Sequence, residues 1–144
     1  MPTKSSIEQL KVYVLAHELE GKVFDLVRMM PAENFYPLGN SLWRAATATA
    51  HYIAEAHERY SYTIKIQSLQ YGRISAEEAI KQLDEFGQQF GSETKVLSEE
   101  FTAVIKQCWG LIKYLQGKQR EKADSHAIKA ADELVEARAA AVAA

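Results

Sequence analysis

The sequence predicts an all-α fold: an up-down-up-down four-helix bundle with an Ala-rich helical or frayed C-terminal extension. Three observations predict it. Leu42, Ala46, Thr49, Ile53, Ala56 and Tyr60 recur in steps of four and three, a narrow seam of mainly small side chains that lets two helices approach closely. Leu97, Phe101, Val104, Cys108, Leu111 and Leu115 repeat the same spacing without exception. No sheet-like alternation or internal repeat competes with these patterns.

Helix 1 is predicted from Ser5 or Ser6, either of which can cap it, to about Met30, with Ile7, Leu10, Val14, Leu19, Val23, Leu26, Val27 and Met30 at helical spacing. Pro31 ends it, because the residue before a proline disfavours helical geometry. The segment from Pro31 to Asn40 reads as a turn, with Phe35 and Tyr36 plugging one end of the bundle. Helix 2 follows from about Leu38 to His57, and a short turn is placed at Glu58 to Ser61, where Ser61 is the available cap. The alternative is one uninterrupted helix of about 34 residues, roughly 50 Å long. Gly72 and Ser75-x-x-Glu78 could mark a stop and a capping box. Yet Tyr62, Ile66, Leu69, Ala76, Ile80 and Leu83 keep one register across that glycine, so helix 3 is expected to continue to about Phe86, with a turn from Gly87 to Ser92. Trp109 and Ile112 widen the apolar face of helix 4, and Gly117 is its natural terminator. Two units result: a bundle over 1–118 and an extension over 119–144, charged at first and then alanine-rich, either a fifth helix docked on a partner or frayed.

With 47% apolar and 25% charged residues, the composition is that of an ordinary globular protein. A net charge of −2 gives no global attraction to nucleic acid, so any such binding must come from a local patch. One cysteine, Cys108, excludes an intramolecular disulfide and suits a reducing compartment. No apolar run approaches the ~20 residues that span a bilayer, and the opening MPTKSSIEQL lacks the apolar centre of a secretory signal. A soluble cytoplasmic protein is expected.

Catalytic and metal chemistry find little to stand on. Bundle metal sites use Glu-x-x-His pairs, absent here, and His51 with Glu55 supplies too few ligands, so neither metal nor cofactor is expected. Cys108 lies on the apolar seam, where a free cysteine behaves as a small hydrophobe. No nucleophile elbow, Walker loop or dinucleotide fingerprint occurs. The chain is read as a non-enzyme. Basic residues remain: Lys113, Lys118, Arg120 and Lys122 cluster beside Tyr114, and Arg44, Arg59, Lys65 and Arg73 lie on or around helices 2 and 3. A solvated face is the ordinary reading of such charge. Copies of a modest patch gathered round one axis would make a far stronger field.

Three blocks resemble the small four-helix-bundle proteins encoded within intervening sequences of bacterial 23S ribosomal RNA genes. The first carries Leu10, Val12, Tyr13, Ala16, Leu19, Val23, Phe24, Leu26 and Pro31; the second, Tyr36, Leu38, Arg44, Ala45, Ala46, Ile53, Ala54 and Glu55; the third is Gly110 to Leu115. The likeness spans about 8–118. This chain departs from it at Tyr52-Ile-Ala-Glu-Ala56, where the family has Asn-Ile-Ala-Glu-Gly, and at Ser41, where it has Gln. The resemblance implies a homo-oligomer, commonly a pentameric ring, and non-catalytic work beside nucleic acid. A related group serves diversity-generating retroelements, holding RNA and a reverse transcriptase on a basic surface. On that reading Arg44, Arg59, Lys65, Arg73, Lys113, Lys118, Arg120 and Lys122 contact the phosphates of structured RNA, with no base-reading code. The rival reading is a protein–protein scaffold that binds no nucleic acid.

Overall fold

The computed structural model describes residues 4–90 and 94–143, together with their side chains except those of 4–8, 34–36, 89 and 90. Four helices make up the described fold: α1 (Lys4–Arg28), α2 (Asn40–Glu58), α3 (Tyr62–Phe90) and α4 (Thr94–Ala143). Each packs on the next, and α4 returns against α1 to close the bundle. No strand occurs among the described residues.

The seams predicted for α2 and α4 are the ones that fill the core. Leu42, Ala46, Thr49, Ile53 and Ala56 are buried on α2, and all six positions of the α4 series are buried on α4. Thr49 satisfies its hydroxyl inside this apolar layer by donating to the Ala45 carbonyl at 2.8 Å. α3 runs unbroken through Gly72, which lies against Ile53: a Cβ there would come within 3.0 Å of that side chain. The missing side chain is what brings α2 and α3 together at this level.

Several expectations need correction. Leu19, Val23 and Val27 are buried as expected, but Leu10 and Val14 stand about half exposed, and Val12 and Ala16 complete the core face of α1. This helix carries apolar residues on more than one face, so spacing alone allowed two choices. Pro31 to Asn40 is not a loose turn. A helical turn at Ala32–Asn34 passes into a π-helical turn, Phe35–Gly39, that leads into α2, while the proposed plug by Phe35 and Tyr36 lies outside the described side chains. Tyr60 leaves the seam because α2 stops first. Gly87 does not end α3, which continues to Phe90. A Cβ at Gly87 would run into the Thr94 hydroxyl, so that glycine serves the close passage of α3 and α4. The remainder of the expected turn, 91–93, lies outside the described residues.

The largest difference is at Gly117. α4 does not terminate there but continues as one helix of 50 residues, about 75 Å long at 1.5 Å per residue. Nothing crowds Gly117, and Lys, Gln, Arg, Glu and Ala beyond it are strong helix formers. Every residue from Arg120 to Ala143 is exposed. The extension is therefore neither a separate fifth helix nor frayed. It is α4 projecting past the bundle.

Candidate nucleic-acid interface

The α2–α3 link creates the most distinctive surface. α2 ends at Glu58, and Arg59 turns into extended backbone with φ −85° and ψ 152° while its amide still donates to the Glu55 carbonyl at 3.1 Å. Ser61 restarts the helix: its carbonyl accepts from the Lys65 amide at 2.9 Å and its hydroxyl receives a longer 3.5 Å bond from the Ile64 amide. Between these two anchors Tyr60 is thrown outward, 98% exposed. Gln119 on α4 donates to the Thr63 hydroxyl at 2.8 Å and pins the start of the extension to the start of α3.

A groove of about 430 Å³ results, lined by Tyr60, Ser61, Tyr62, Thr63, Gln119 and Lys122. The Lys122 ammonium lies 5.9 Å from the centre of the Tyr62 ring, and that of Lys118 lies 5.7 Å from Tyr114, distances at which a cation is attracted by the ring face. Arg59 reaches Glu55 at 3.2 Å, and Lys118 reaches Glu121 at 3.3 Å. The bond to Glu121 raises the Lys118 pKa, so the ammonium stays charged. Both pairs are exposed, and exposed pairs are worth about 0–1 kcal/mol, so an incoming phosphate can compete for either cation.

Of the eight candidate cations, then, Lys122 lines this groove, Lys118 lies one helical turn before it and Arg59 precedes Tyr60 in the chain. Lys65 is nearby but already occupied. Its ammonium donates to the Ala56 carbonyl at 2.8 Å, to Gln9 at 3.3 Å and, at the 3.5 Å limit, to the His57 carbonyl. It thus caps the negative end of α2, and burial lowers its pKa. Arg73 is also committed: its largely buried guanidinium sits 4.4 Å over the Trp109 ring and 2.8 Å from Glu77, tying α3 to α4. Lys113 and Arg120 share the Trp109 face of α4, roughly opposite Lys118 and Lys122 at about 100° per residue. Arg44 borders a shallow groove with Trp43, Thr47, Ala48, His51 and Tyr52, fifteen positions or about 22 Å along α2 from Arg59.

Sequence reasoning overlooked Tyr60, Tyr62, Thr63 and Gln119. The signal was the run Arg59-Tyr60-Ser61-Tyr62-Thr63, aromatic residues interleaved with small polar ones beside a cation. It was masked by assigning Tyr60 to the helical seam.

Catalytic groups do not converge here. Cys108 is buried, and burial pushes its thiol up to about 12, with Arg73 acting weakly in the other direction; a thiol in that state is a poor nucleophile. His51 and Glu55 form a surface pair at 3.9 Å, and no group of three or more potential metal ligands occurs among the described residues. No helix among them is long and apolar enough to cross a membrane.

Comparisons with known proteins place this geometry in context. A family model described as "23S rRNA-intervening sequence protein" matches residues 8–117. No curated protein matches the chain. A solved structure, a protein of unknown function from the S23 ribosomal protein family of Bacteroides thetaiotaomicron, superposes with a TM-score of 0.68 at 17% identity, covering 74% of this chain and 98% of that one. At that identity the likeness speaks for the fold alone. The family match ends one residue before Lys118, so Arg59 and Lys65 fall inside it while Lys118, Arg120 and Lys122 fall outside.

Proposed function

The chain belongs to the 23S rRNA-intervening sequence protein family, and from that premise we propose that it is a non-enzymatic, homo-oligomeric accessory protein that holds structured RNA. The observation that carries this reading is the exposed Tyr60 lining one groove with Lys122, with Arg59 next to Tyr60 in the chain and Lys118 one helical turn before Lys122. An unpaired base can stack on a tyrosine ring while neighbouring phosphates meet the cations, the usual economy of single-stranded segments within folded RNA. Such a site holds RNA without reading its sequence, because every base offers a ring face and every nucleotide a phosphate. The chain's net charge of −2 adds no general attraction, so affinity must come from this local arrangement and from its repetition in an assembly.

The test is the salt dependence of binding to a fluorescent hairpin RNA with an unpaired loop. Three phosphate contacts predict a slope of about −2 in log affinity against log salt. Reversing Lys118 and Lys122 together to glutamate should flatten that slope and weaken binding at least tenfold, and Tyr60→Ala should weaken binding with the slope unchanged. Unaltered affinity in both variants would remove this end of the bundle from the reading.

A protein–protein scaffold is the second reading, and the exposed projecting half of α4 favours it. Between Gln119 and Ala143, Arg120, Lys122, Lys129 and Arg138 are outnumbered by Glu121, Asp124, Asp132, Glu133 and Glu136, a poor continuation of a phosphate-binding surface. Truncation after Lys122 separates the two: loss of a captured protein with RNA affinity intact would favour the scaffold.

A further inference from the structure

The projecting half of α4 carries an apolar face that no described residue of its own chain covers. Ile128, Leu134, Val135 and Val142 are each more than half exposed. With Ala127 and Ala131 they fall within about 60° of one direction on the helix, and that direction points roughly opposite the Cys108–Leu111–Leu115 seam buried in the bundle. The face is thus turned away from the four-helix core. A partner helix could lie along it without meeting the rest of the protein.

Two charged residues interrupt this face between Ala123 and Val142, Asp124 and Arg138. They are opposite in sign, and each lies seven positions from Ala131. From these placements we infer that the extension pairs with the extension of a second copy of this chain, antiparallel and centred on Ala131. Antiparallel pairing about that residue sets Asp124 against Arg138 of the second copy, twice by symmetry. It also sets Ile128 against Leu134 and Ala127 against Val135, and the facing Ala131 pair permits the close approach that small side chains allow. A parallel, in-register pair would instead bring Asp124 to Asp124 and Arg138 to Arg138 within an apolar interface, where like charges repel strongly. The two bundles then sit at opposite ends of a shared rod. The pairing is two-fold, so it is separate from any ring built by the bundles, and it stands independently of the RNA reading.

Disulfide trapping of the full chain tests it, since Cys108 is buried and leaves introduced thiols as the reactive ones. Ala127→Cys chains mixed with Val135→Cys chains should form a disulfide-linked dimer on mild oxidation, while neither variant alone does so, because like positions then lie eight residues, about 12 Å, apart along the rod. Arg138→Asp added to both chains should lower the yield several-fold, and the further exchange Asp124→Arg in the same chains should restore it. No cross-link in the mixture would overturn the proposal and leave the face to a different protein. Equal cross-linking of Ala127→Cys with itself, or a charge exchange that restores nothing, would overturn it in favour of a parallel pair or an unrelated contact.

Discussion

At the scale of single residues, two buried or half-buried groups decide what the bundle can do chemically. Cys108 holds its proton to about 12, because an anion in the α4 seam would lose its hydration. Thiol reagents at neutral pH should therefore leave the folded protein unmodified and label it only on unfolding. The same displacement has a thermodynamic sign. Between the ordinary thiol value near 9 and about 12 the unfolded chain releases a proton that the folded chain keeps. Stability from this group is thus complete below pH 9 and is lost as pH rises through that window. Cys108→Ala should show a shallower alkaline decline than the parent in urea titrations from pH 8 to 11. Lys65 closes the C-terminus of α2 on the Ala56 carbonyl, a use that competes with the phosphate contact read from sequence. Lys65→Met keeps the aliphatic stem and removes those bonds, so it should cost about 1 kcal/mol of stability. RNA affinity should change little; a large loss of affinity at unchanged stability would return Lys65 to the interface.

At the scale of elements, the glycines separate what was legible in the sequence from what was not. The register of α3 across Gly72 could be read directly, because Ile66, Leu69, Ala76 and Leu83 all need burial on one side, and burial outweighs the propensity cost of one glycine. The break after Glu58 was also readable, from Ser61 as the available cap. The face of α1 was not, since Leu10 and Val12 offer competing stripes and only packing on α2 selects Val12. Gly117 misled for a related reason: a helix-ending glycine and a tolerated helical glycine look alike in one sequence. Substitution distinguishes them. A left-handed terminating residue loses stability on conversion to alanine, whereas Gly117→Ala in a continuous, uncrowded helix should gain about 0.5–1 kcal/mol. Helicity of the extension followed by circular dichroism should rise with it. The basic residues were harder still. Their clustering was visible along the chain, but the link geometry that projects Tyr60, and the contacts that occupy Lys65 and Arg73, exist only once α2, α3 and α4 have packed.

For the molecule as a whole, the long axis is divided between two kinds of surface. The bundle buries its seams internally and offers aromatic rings and cations where α2, α3 and α4 meet, while the projecting half of α4 offers an apolar face with balanced charge. One chain with net charge −2 has no general attraction to RNA, so the proposed function requires assembly to multiply a small set of cations. The most direct measurement is therefore the particle mass of the purified full chain by size-exclusion chromatography with light scattering, run before and after nuclease treatment. A multiple of 16.2 kDa is expected, accompanied by nucleic-acid absorbance that nuclease removes. A 16.2 kDa particle whose mass and absorbance are indifferent to nuclease would contradict it.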